Sequence, residues 1–213
     1  MDFNEFLRLS SKIKNIKLPA EASHLKMMPA SRLELLKSQN EAIKVAKKAG
    51  VIALFYPDEN LQTKFLLILR KTYEGIHSAQ VGFPGGKLEI HDHSLKEAAI
   101  RETFEEVGVP KNDIIVIHEL SGVYIPPSNF YVHPFIALTE KRPFFILQED
   151  EVEAIIEVDL QHFLDENVIM TNRVKASYNI DVEVPTFLLN GHIVWGATAM
   201  ILSEIKDLLK ELI

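Results

Sequence analysis

Residues 85–109 of the 213-residue chain read GGKLEIHDHSLKEAAIRETFEEVGV and carry four ionisable side chains within six positions. Arg101 is followed directly by Glu102, and then by Glu105 and Glu106. Helical side chains three and four positions apart are neighbours, so Glu102 is expected to share a face with both later glutamates. Adjacent carboxylates repel one another unless a positive charge lies between them. Because oxygen ligands suit hard cations, the spacing predicts a Mg²⁺ or Mn²⁺ site.

The ends of this helix are encoded by local chemistry. Ser94 and Glu97 have the spacing of a capping box, in which each side chain satisfies a free backbone N–H. Gly108 suits the left-handed residue that ends a helix. Upstream, Gly85 and Gly86 predict a glycine turn whose backbone approaches the helix closely without steric cost.

The composition bounds the class of protein. Hydrophobic residues make up 47% and charged residues 25% of the chain, as expected for a globular protein with a full core. The absence of cysteine excludes disulfides, zinc thiolate sites and a cysteine nucleophile, and it fits a reducing cytoplasm. A net charge of −7 argues against nucleic acid as a partner. The apolar runs are too short to span a membrane, and the first residues do not resemble a signal peptide.

The chain divides into a helical N-terminal extension, residues 1–50, and a main domain, residues 51–213. Apolar spacing predicts one helix over residues 2–16 and a second over 31–49, with Gly50 closing the second helix. The extension could cover a sheet, pair subunits in a homodimer or touch substrate, and the sequence leaves these alternatives open.

The main domain alternates strands and helices, which predicts an α/β (α+β) fold with helices packed on a mixed sheet. Asn190-Gly191 marks a hairpin, because both residues tolerate positive φ. Helices are expected at 160–166 and 196–213. Strands are expected at 51–56, 64–70, 80–83, 114–117, 122–125, 131–138, 154–158, 173–180 and 184–189.

The segment around the glutamates resembles the signature of the Nudix family, G-x5-E-x7-R-E-U-x-E-E-x-G-U, where U is a bulky apolar residue. The second half matches from Arg101 to Val109, with Thr103 standing where an aliphatic residue is usual. In the first half, one residue is inserted. Counting forward from Gly86 reaches Asp92 instead of a glutamate.

The insertion makes the segment similar to the coenzyme A pyrophosphatase branch of the family. That branch combines an FPGGK-type turn, found here at residues 83–87, with an upstream L-L-x-x-R segment, found at 66–70. Residues 77–81 resemble its H-x-G-Q-V segment, with Ala79 at the glycine position. The resemblance implies the Nudix fold, a mixed sheet sandwiched between helices.

The predicted metal site follows from spacing together with this resemblance. Glu102 and Glu106, four positions apart, can share one cation, while Glu105 can reach a second cation or accept a proton from the attacking water. The resemblance implies that Arg101 fixes a glutamate of the helix, and its spacing allows an ion pair with Glu105.

Further residues are candidates for substrate contact. The backbone at Gly85 and Gly86 and the charges of Arg70 and Lys87 are expected to meet substrate phosphates. Two more acids are candidates. Asp92 occupies the glycine-side acid position, and Glu151 lies in an acidic loop of the kind from which Nudix proteins recruit a further ligand or base.

The resemblance implies metal-dependent hydrolysis of the pyrophosphate bond of coenzyme A or acyl-coenzyme A, giving 3′,5′-ADP and 4′-phosphopantetheine. One alternative keeps the reaction and changes the substrate to ADP-ribose or another nucleoside diphosphate derivative. A second alternative is a non-catalytic Nudix-like ligand-binding module. The presence of Arg101 and all three helix glutamates favours an enzyme.

Overall fold

The computed structural model describes residues 1–29, 40–71, 80–176 and 180–213. The helices in these ranges are α1 (Phe3–Ile13), α2 (Glu21–Leu25), α3 (Asn40–Lys44), α4 (Leu95–Val107), α5 (Leu160–Leu164) and α6 (Gly196–Leu212). The strands are β1 (Lys47–Pro57), β2 (Thr63–Arg70), β3 (Val81–Gly82), β4 (Gly85–Lys87), β5 (Ile115–Glu119), β6 (Val123–Ile125), β7 (Phe130–Leu138), β8 (Val152–Asp159), β9 (Ile169–Ala176), β10 (Ile180–Leu189) and β11 (His192–Val194).

The larger sheet is mixed and has β1 near its centre. Strand β7 pairs parallel with β1 along nearly its whole length, with Ile52 opposite Phe135. On its other edge β1 pairs antiparallel with two strands, with β4 near its start and β2 near its end. Strand β2 in turn pairs with β3 and β8. Because β1 and β2 pair only at their hairpin end, β3 and β4 occupy the space between their other ends.

Helices cover both faces of this sheet. Along β1, alternate side chains such as Ile52 and Leu54 face α4, while Ala53 and Phe55 belong to the cluster that includes α1 and α6. In that second cluster the ring of Phe6 from α1 stacks on Phe55 at 4.7 Å. The predicted α/β fold, a mixed sheet sandwiched between helices, is confirmed. A smaller antiparallel sheet joins β9, β10 and β11.

The predicted helix over residues 31–49 is wrong at its end. Residues 30–39, including the start of that helix, lie outside the described residues, and α3 ends at Lys44. Strand β1 already begins at Lys47, and Gly50 pairs with Gly86 of β4 and His133 of β7 instead of closing a helix. Pairing on both edges outweighs the helical preference of this lysine- and alanine-rich stretch, since secondary propensity is weak against tertiary context.

The predicted glycine turn at Gly85-Gly86 is also wrong in detail, because both residues belong to β4 and pair with β1. Most other elements lie within a few residues of their predicted bounds. The strand predicted at 173–180 differs, because β9 ends at Ala176, residues 177–179 lie outside the described residues, and Ile180 already belongs to β10. The hairpin at Asn190-Gly191 is confirmed, with φ of 50° and 82° at the two residues. Helix α1, at the start of the chain, contributes Phe3, Phe6 and Ile13 to the main core. The division at residue 50 stays a prediction.

No helix in the described ranges is long and apolar enough to cross a membrane.

Candidate active site

Helix α4 presents the glutamates, and its ends form much as its sequence predicts. The Ser94 hydroxyl oxygen accepts the N–H of Glu97 at 3.2 Å, and the Glu97 carboxylate accepts the N–H of His93 at 3.0 Å. Gly108 ends the helix at φ 76° and donates its N–H to the carbonyl of Phe104. The predicted capping residues are confirmed, although Glu97 reaches one residue further back than a capping box requires.

Three glycines allow the helix and the sheet to approach closely. A Cβ at Gly50 would lie 2.2 Å from the carbonyl oxygen of Leu95, and a Cβ at Gly86 would lie 2.4 Å from the carboxyl carbon of Glu102. Gly85 has φ 144°, in the region that favours glycine, and its N–H donates to Glu106 at 2.8 Å. Because Gly85 and Gly86 have no side chains, β4 leaves room for the carboxylates of Glu102 and Glu106.

Three carboxylates meet beside β4. Oxygens of Glu102, Glu106 and Glu151 all lie within 4.8 Å of one another. Glu106 is buried, with 1% of its surface exposed, while Glu151 at the end of the acidic loop is exposed. The cluster therefore combines two acids of α4 with one from a distant part of the chain.

The electrostatics of this cluster favour a bound positive charge. Burial raises the pKa of Glu106 to about 7, against the opposing effects of the Arg70 charge and the Gly85 N–H. Burial also raises the pKa of Glu102, and the nearby carboxylates of Glu105 and Glu151 add to that rise. A divalent cation would relieve this repulsion, and a set of carboxylate oxygens is the donor type that Mg²⁺ and Mn²⁺ prefer. The donor set fits such an ion.

Arg70 already supplies one positive charge at this place. Its guanidinium lies 3.2 Å from a Glu106 oxygen and also donates to the carbonyl of Gly85 at 3.2 Å. Lys87, the other predicted phosphate contact, is exposed, and its carbonyl accepts a hydrogen bond from Arg101. Arg70 of β2 therefore borders the carboxylate cluster, whereas the described contacts of Lys87 on β4 involve its backbone alone.

Arg101 connects the helix to the inserted loop. Its guanidinium makes two hydrogen bonds with Asp92, at 3.0 and 2.9 Å, and reaches Glu105 at 2.8 Å and Glu102 at 3.1 Å. The ion pair predicted from the spacing of Arg101 and Glu105 is confirmed. The hydrogen bonds from Arg101 hold the pKa of Asp92 below its usual range although the carboxylate is buried.

The acids that the structure brings together differ from those that the sequence predicts. Glu105 is about half exposed, at 51%, and turns towards Arg101, while Glu151 takes the third position beside Glu102 and Glu106. Helical spacing alone cannot reveal this, since both later glutamates lie within one turn of Glu102. The acidic run at residues 149–153 was the one sequence signal for Glu151. Gly50 was missed, because its role depends on long-range strand pairing.

Comparison with known proteins agrees with this fold. A family model described as NUDIX domain matches residues 46–175. The chain is 32% identical to the peroxisomal coenzyme A diphosphatase ndx-8 of Caenorhabditis elegans over 169 residues, covering 77% of this chain and 67% of that protein. It is also 32% identical over 181 residues to NudL of Salmonella paratyphi B, described as an uncharacterized Nudix hydrolase, covering 82% and 90% of the two chains.

Solved structures share the fold at lower identity. The Nudix hydrolase RenU of M. smegmatis superposes with a TM-score of 0.51 at 13% identity, covering 78% of this chain and 87% of that one. A MutT/nudix family protein of Enterococcus faecalis gives a TM-score of 0.52 at 17% identity, covering 91% and 76%.

The sandwiched mixed sheet, with an acid-rich helix packed on it, is the fold that this chain shares with these solved Nudix structures. The chain belongs to the Nudix hydrolase family. The predicted resemblance to the coenzyme A branch is confirmed by the similarity to ndx-8.

Proposed function

We propose that this enzyme hydrolyses the pyrophosphate bond of coenzyme A or acyl-coenzyme A, with Mg²⁺ or Mn²⁺ as cofactor. The observation that carries the proposal is the cluster of Glu102, Glu106 and Glu151 beside Arg70, where acidic oxygens and a cation border one another. Water adds across the P–O–P bridge. One new P–O bond forms, the bridging P–O bond breaks, and the products are 3′,5′-ADP and 4′-phosphopantetheine, which keeps the acyl group when the substrate is acyl-coenzyme A.

The choice of coenzyme A is supported by two observations. The segments at residues 66–70 and 83–87 and the inserted residue before α4 resemble the coenzyme A branch. A relative at 32% identity is named a coenzyme A diphosphatase. The proposed substrate is therefore a small nucleotide derivative with two bridged phosphates.

Each residue near the cluster has a proposed task. Glu102, Glu106 and Glu151 hold the cation, which when bound neutralises diphosphate charge and acidifies water. Glu105, half exposed beside the cluster, stays the predicted proton acceptor or ligand of a second cation. Arg101, held by Asp92, orients the glutamates.

Arg70 and Lys87 are proposed to contact substrate phosphates. The guanidinium of Arg70 forms an ion pair with the carboxylate of Glu106, at 3.2 Å. With a cation held at Glu106, the guanidinium would lose part of its attraction to that carboxylate and would be free to pair with phosphate. The backbone of Gly85 and Gly86 borders the same space without side chains to obstruct it.

A substrate panel tests the proposal. Coenzyme A, ADP-ribose and NADH are each incubated with the purified enzyme and Mg²⁺ or Mn²⁺, and the products are separated by chromatography. We expect the highest kcat/KM for coenzyme A, with 3′,5′-ADP as a product. Clear preference for ADP-ribose would overturn the substrate, and tight binding of these compounds without turnover would indicate a binding module.

We also propose a cytoplasmic location and a homodimer. The absence of cysteine favours the first, and the N-terminal extension is a part of the chain that could pair subunits. Fractionation of cells distinguishes the cytoplasm from the peroxisome, the compartment named for ndx-8. Light scattering on a sizing column measures the mass of the assembly, and a mass near the 24.2 kDa of one chain would contradict the dimer.

A further inference from the structure

The segment between β7 and β8, residues 139–151, crosses the C-terminal end of α4 and ends at Glu151. We call it the β7–β8 segment. Glu151 is the exposed member of the carboxylate cluster, so burial of its own side chain does not fix it. Its position must be set by the main chain that carries it.

Backbone hydrogen bonds tie this main chain to α4. The N–H of Ile146 donates to the carbonyl of Val107, and the N–H of Gln148 donates to the carbonyl of Glu106, both at 3.0 Å. The carbonyl of Gln148 then accepts the N–H of Glu151 at 3.0 Å. The last carbonyls of a helix lack partners within the helix, and here the segment supplies them. Glu151 is thereby connected to the backbone of Glu106 through one residue.

An aromatic contact holds the other half of the segment. The ring of Phe145 meets the buried ring of Tyr56 edge-on, with centroids 5.5 Å apart. The hydroxyl of Tyr56 donates to Glu157 at 2.9 Å, and Arg142 of the segment donates to the same carboxylate at 3.1 Å. By contrast, the neighbouring side chain of Phe144 is 82% exposed.

We propose that Phe145 is a positioning residue for Glu151. Packed on Tyr56, its ring fixes the β7–β8 segment so that the carboxylate of Glu151 already lies beside Glu102 and Glu106 when a divalent cation arrives. Ordering these ligands in advance lowers the entropy cost of binding. The inference rests on the proposed metal-dependent function and adds a residue that does not touch the cation or the substrate.

The first test measures metal binding without substrate. Free Mn²⁺ is quantified by electron paramagnetic resonance during titration of the wild-type protein and of Phe145→Ala. We expect the variant to bind Mn²⁺ about tenfold more weakly, the size of effect seen when groups that orient metal ligands are removed. Phe144→Ala is the matched control, the same substitution one residue earlier on an exposed ring, and it should keep the wild-type affinity.

A double-mutant cycle separates positioning from general destabilisation. If Phe145 acts through Glu151, Phe145→Ala weakens Mn²⁺ binding in the wild type and adds no further weakening in a Glu151→Gln background. Independent effects would multiply instead, because uncoupled changes in free energy add. Multiplied effects, or wild-type affinity in Phe145→Ala, would overturn the proposal.

A second variant covers the case in which Phe145→Ala does not fold. Phe145→Leu keeps an apolar side chain of similar volume, and circular dichroism verifies that each variant is folded. Phe145→Leu should weaken Mn²⁺ binding in the same direction, less strongly, and again only when Glu151 is present. Unchanged affinity in a folded Phe145→Leu together with an unfolded Phe145→Ala would count against positioning.

The cycle also distinguishes this inference from the substrate proposal. Coupled Mn²⁺ binding without turnover of coenzyme A would sustain the inference and contradict the substrate. Turnover of coenzyme A together with multiplied effects of the two substitutions on Mn²⁺ affinity would support the substrate and contradict the positioning role of Phe145. A wild-type protein that binds no Mn²⁺ would contradict both.

Discussion

Glu106 is the residue on which the site converges. Its carboxylate accepts the N–H of Gly85 and pairs with Arg70, while its carbonyl accepts the N–H of Gln148. One residue therefore links β4, β2 and the β7–β8 segment to α4. A side chain with 1% exposure and a pKa near 7 is costly to keep charged unless it has partners, so its contacts determine how the site accommodates a cation.

Glu106→Gln should abolish most activity and leave the fold intact. The amide keeps the size of the side chain and one oxygen for Gly85, but it removes the charge that attracts a cation. We expect kcat/KM for coenzyme A to fall by about a hundredfold or more, since even removal of groups that orient ligands costs 10 to 100-fold. Steady-state kinetics with Mg²⁺ measure the loss.

Glu149→Gln provides the control for this experiment, because Glu149 is an exposed acid of the β7–β8 segment. It should retain wild-type kinetics. Near wild-type rates in a folded Glu106→Gln would contradict the metal assignment.

Gly86→Ala should displace Glu102 while disturbing the fold little. The new methyl group would lie 2.4 Å from the carboxyl carbon of Glu102, and the flexible end of that side chain is what must move. We expect Mn²⁺ affinity to fall about tenfold or more, with a change in unfolding free energy of about 1 kcal/mol. Titration followed by paramagnetic resonance and urea denaturation check the two quantities.

The matched substitution is Gly82→Ala on β3. Among the residues that the structure describes, a Cβ there would meet Thr198 alone, at 3.8 Å, an ordinary contact distance. Gly82→Ala should bind Mn²⁺ as the wild type does. If both alanine variants bound Mn²⁺ equally well, the close approach at Gly86 would not govern the position of Glu102.

Elements whose ends depend on neighbouring residues were predictable from sequence. Ser94 and Gly108 bound α4, and Asn190-Gly191 turns a hairpin, because capping and positive φ are local properties. Elements that depend on distant partners could not be predicted from the sequence. Lys47 lies in a stretch with helical preference, and only pairing with β7 and β4 makes its surroundings a strand. The same limit explains Glu151, whose partners lie in α4.

Helices α2 and α6 are connected by a buried acid that makes this contact sensitive to pH. Glu204 of α6 lies 3.1 Å from the Nε2 of His24 and accepts hydrogen bonds from the N–H and hydroxyl of Ser121. Burial raises the pKa of Glu204, but the bonds from His24 and Ser121 outweigh burial and hold it below 4.5. The folded state therefore favours the ionised form.

Glu204→Gln should remove an acid-sensitive part of the stability. A carboxylate whose pKa is lowered by folding stabilises the protein above the unfolded pKa, and this contribution is lost as the pH falls through the folded value. At pH 7 the variant should be less stable by about 1 to 3 kcal/mol, the cost of leaving buried partners unpaired. Urea denaturation between pH 7 and pH 3 measures both proteins.

The difference in unfolding free energy should shrink as the pH falls below the ordinary glutamate pKa of 4.5. Glu211→Gln, at an exposed acid near the end of α6, should show no such convergence. A gap between wild type and Glu204→Gln that stays the same down to pH 3 would mean that Glu204 is not ionised preferentially in the fold.

At the scale of the whole molecule, the fold class could be predicted because hydrophobic periodicity alternates between strands and helices. The position of the N-terminal helix α1 could not be predicted in this way. An amphipathic stripe shows that α1 buries one face, but not which surface receives it. The structure places Phe6 on Phe55 in the centre of the main core.

Phe6→Ala should therefore destabilise the entire protein, not only its first helix. Removal of a fully buried aromatic ring costs about 3 to 5 kcal/mol. Urea unfolding is followed by circular dichroism and by fluorescence of Trp195, the single tryptophan, which lies directly before α6. We expect both signals to shift together to lower urea concentration, as in a two-state transition.

Phe144→Ala, at an exposed ring, should leave both transitions in place. If Phe6→Ala changed the dichroism signal alone and the Trp195 transition stayed at its wild-type midpoint, the first residues would form a separate unit.

The parallel pairing of β1 with β7 has a consequence for the order in which the chain assembles. These strands are far apart in sequence, and contacts of that kind form slowly because a long loop must close first. Helix α4 precedes β7 in the sequence, so the helix is synthesised before the sheet centre on which it packs is complete. Glu151 follows later still. In a nascent chain the three acids therefore gather only after residue 151 has been synthesised, later than both strands of the sheet centre.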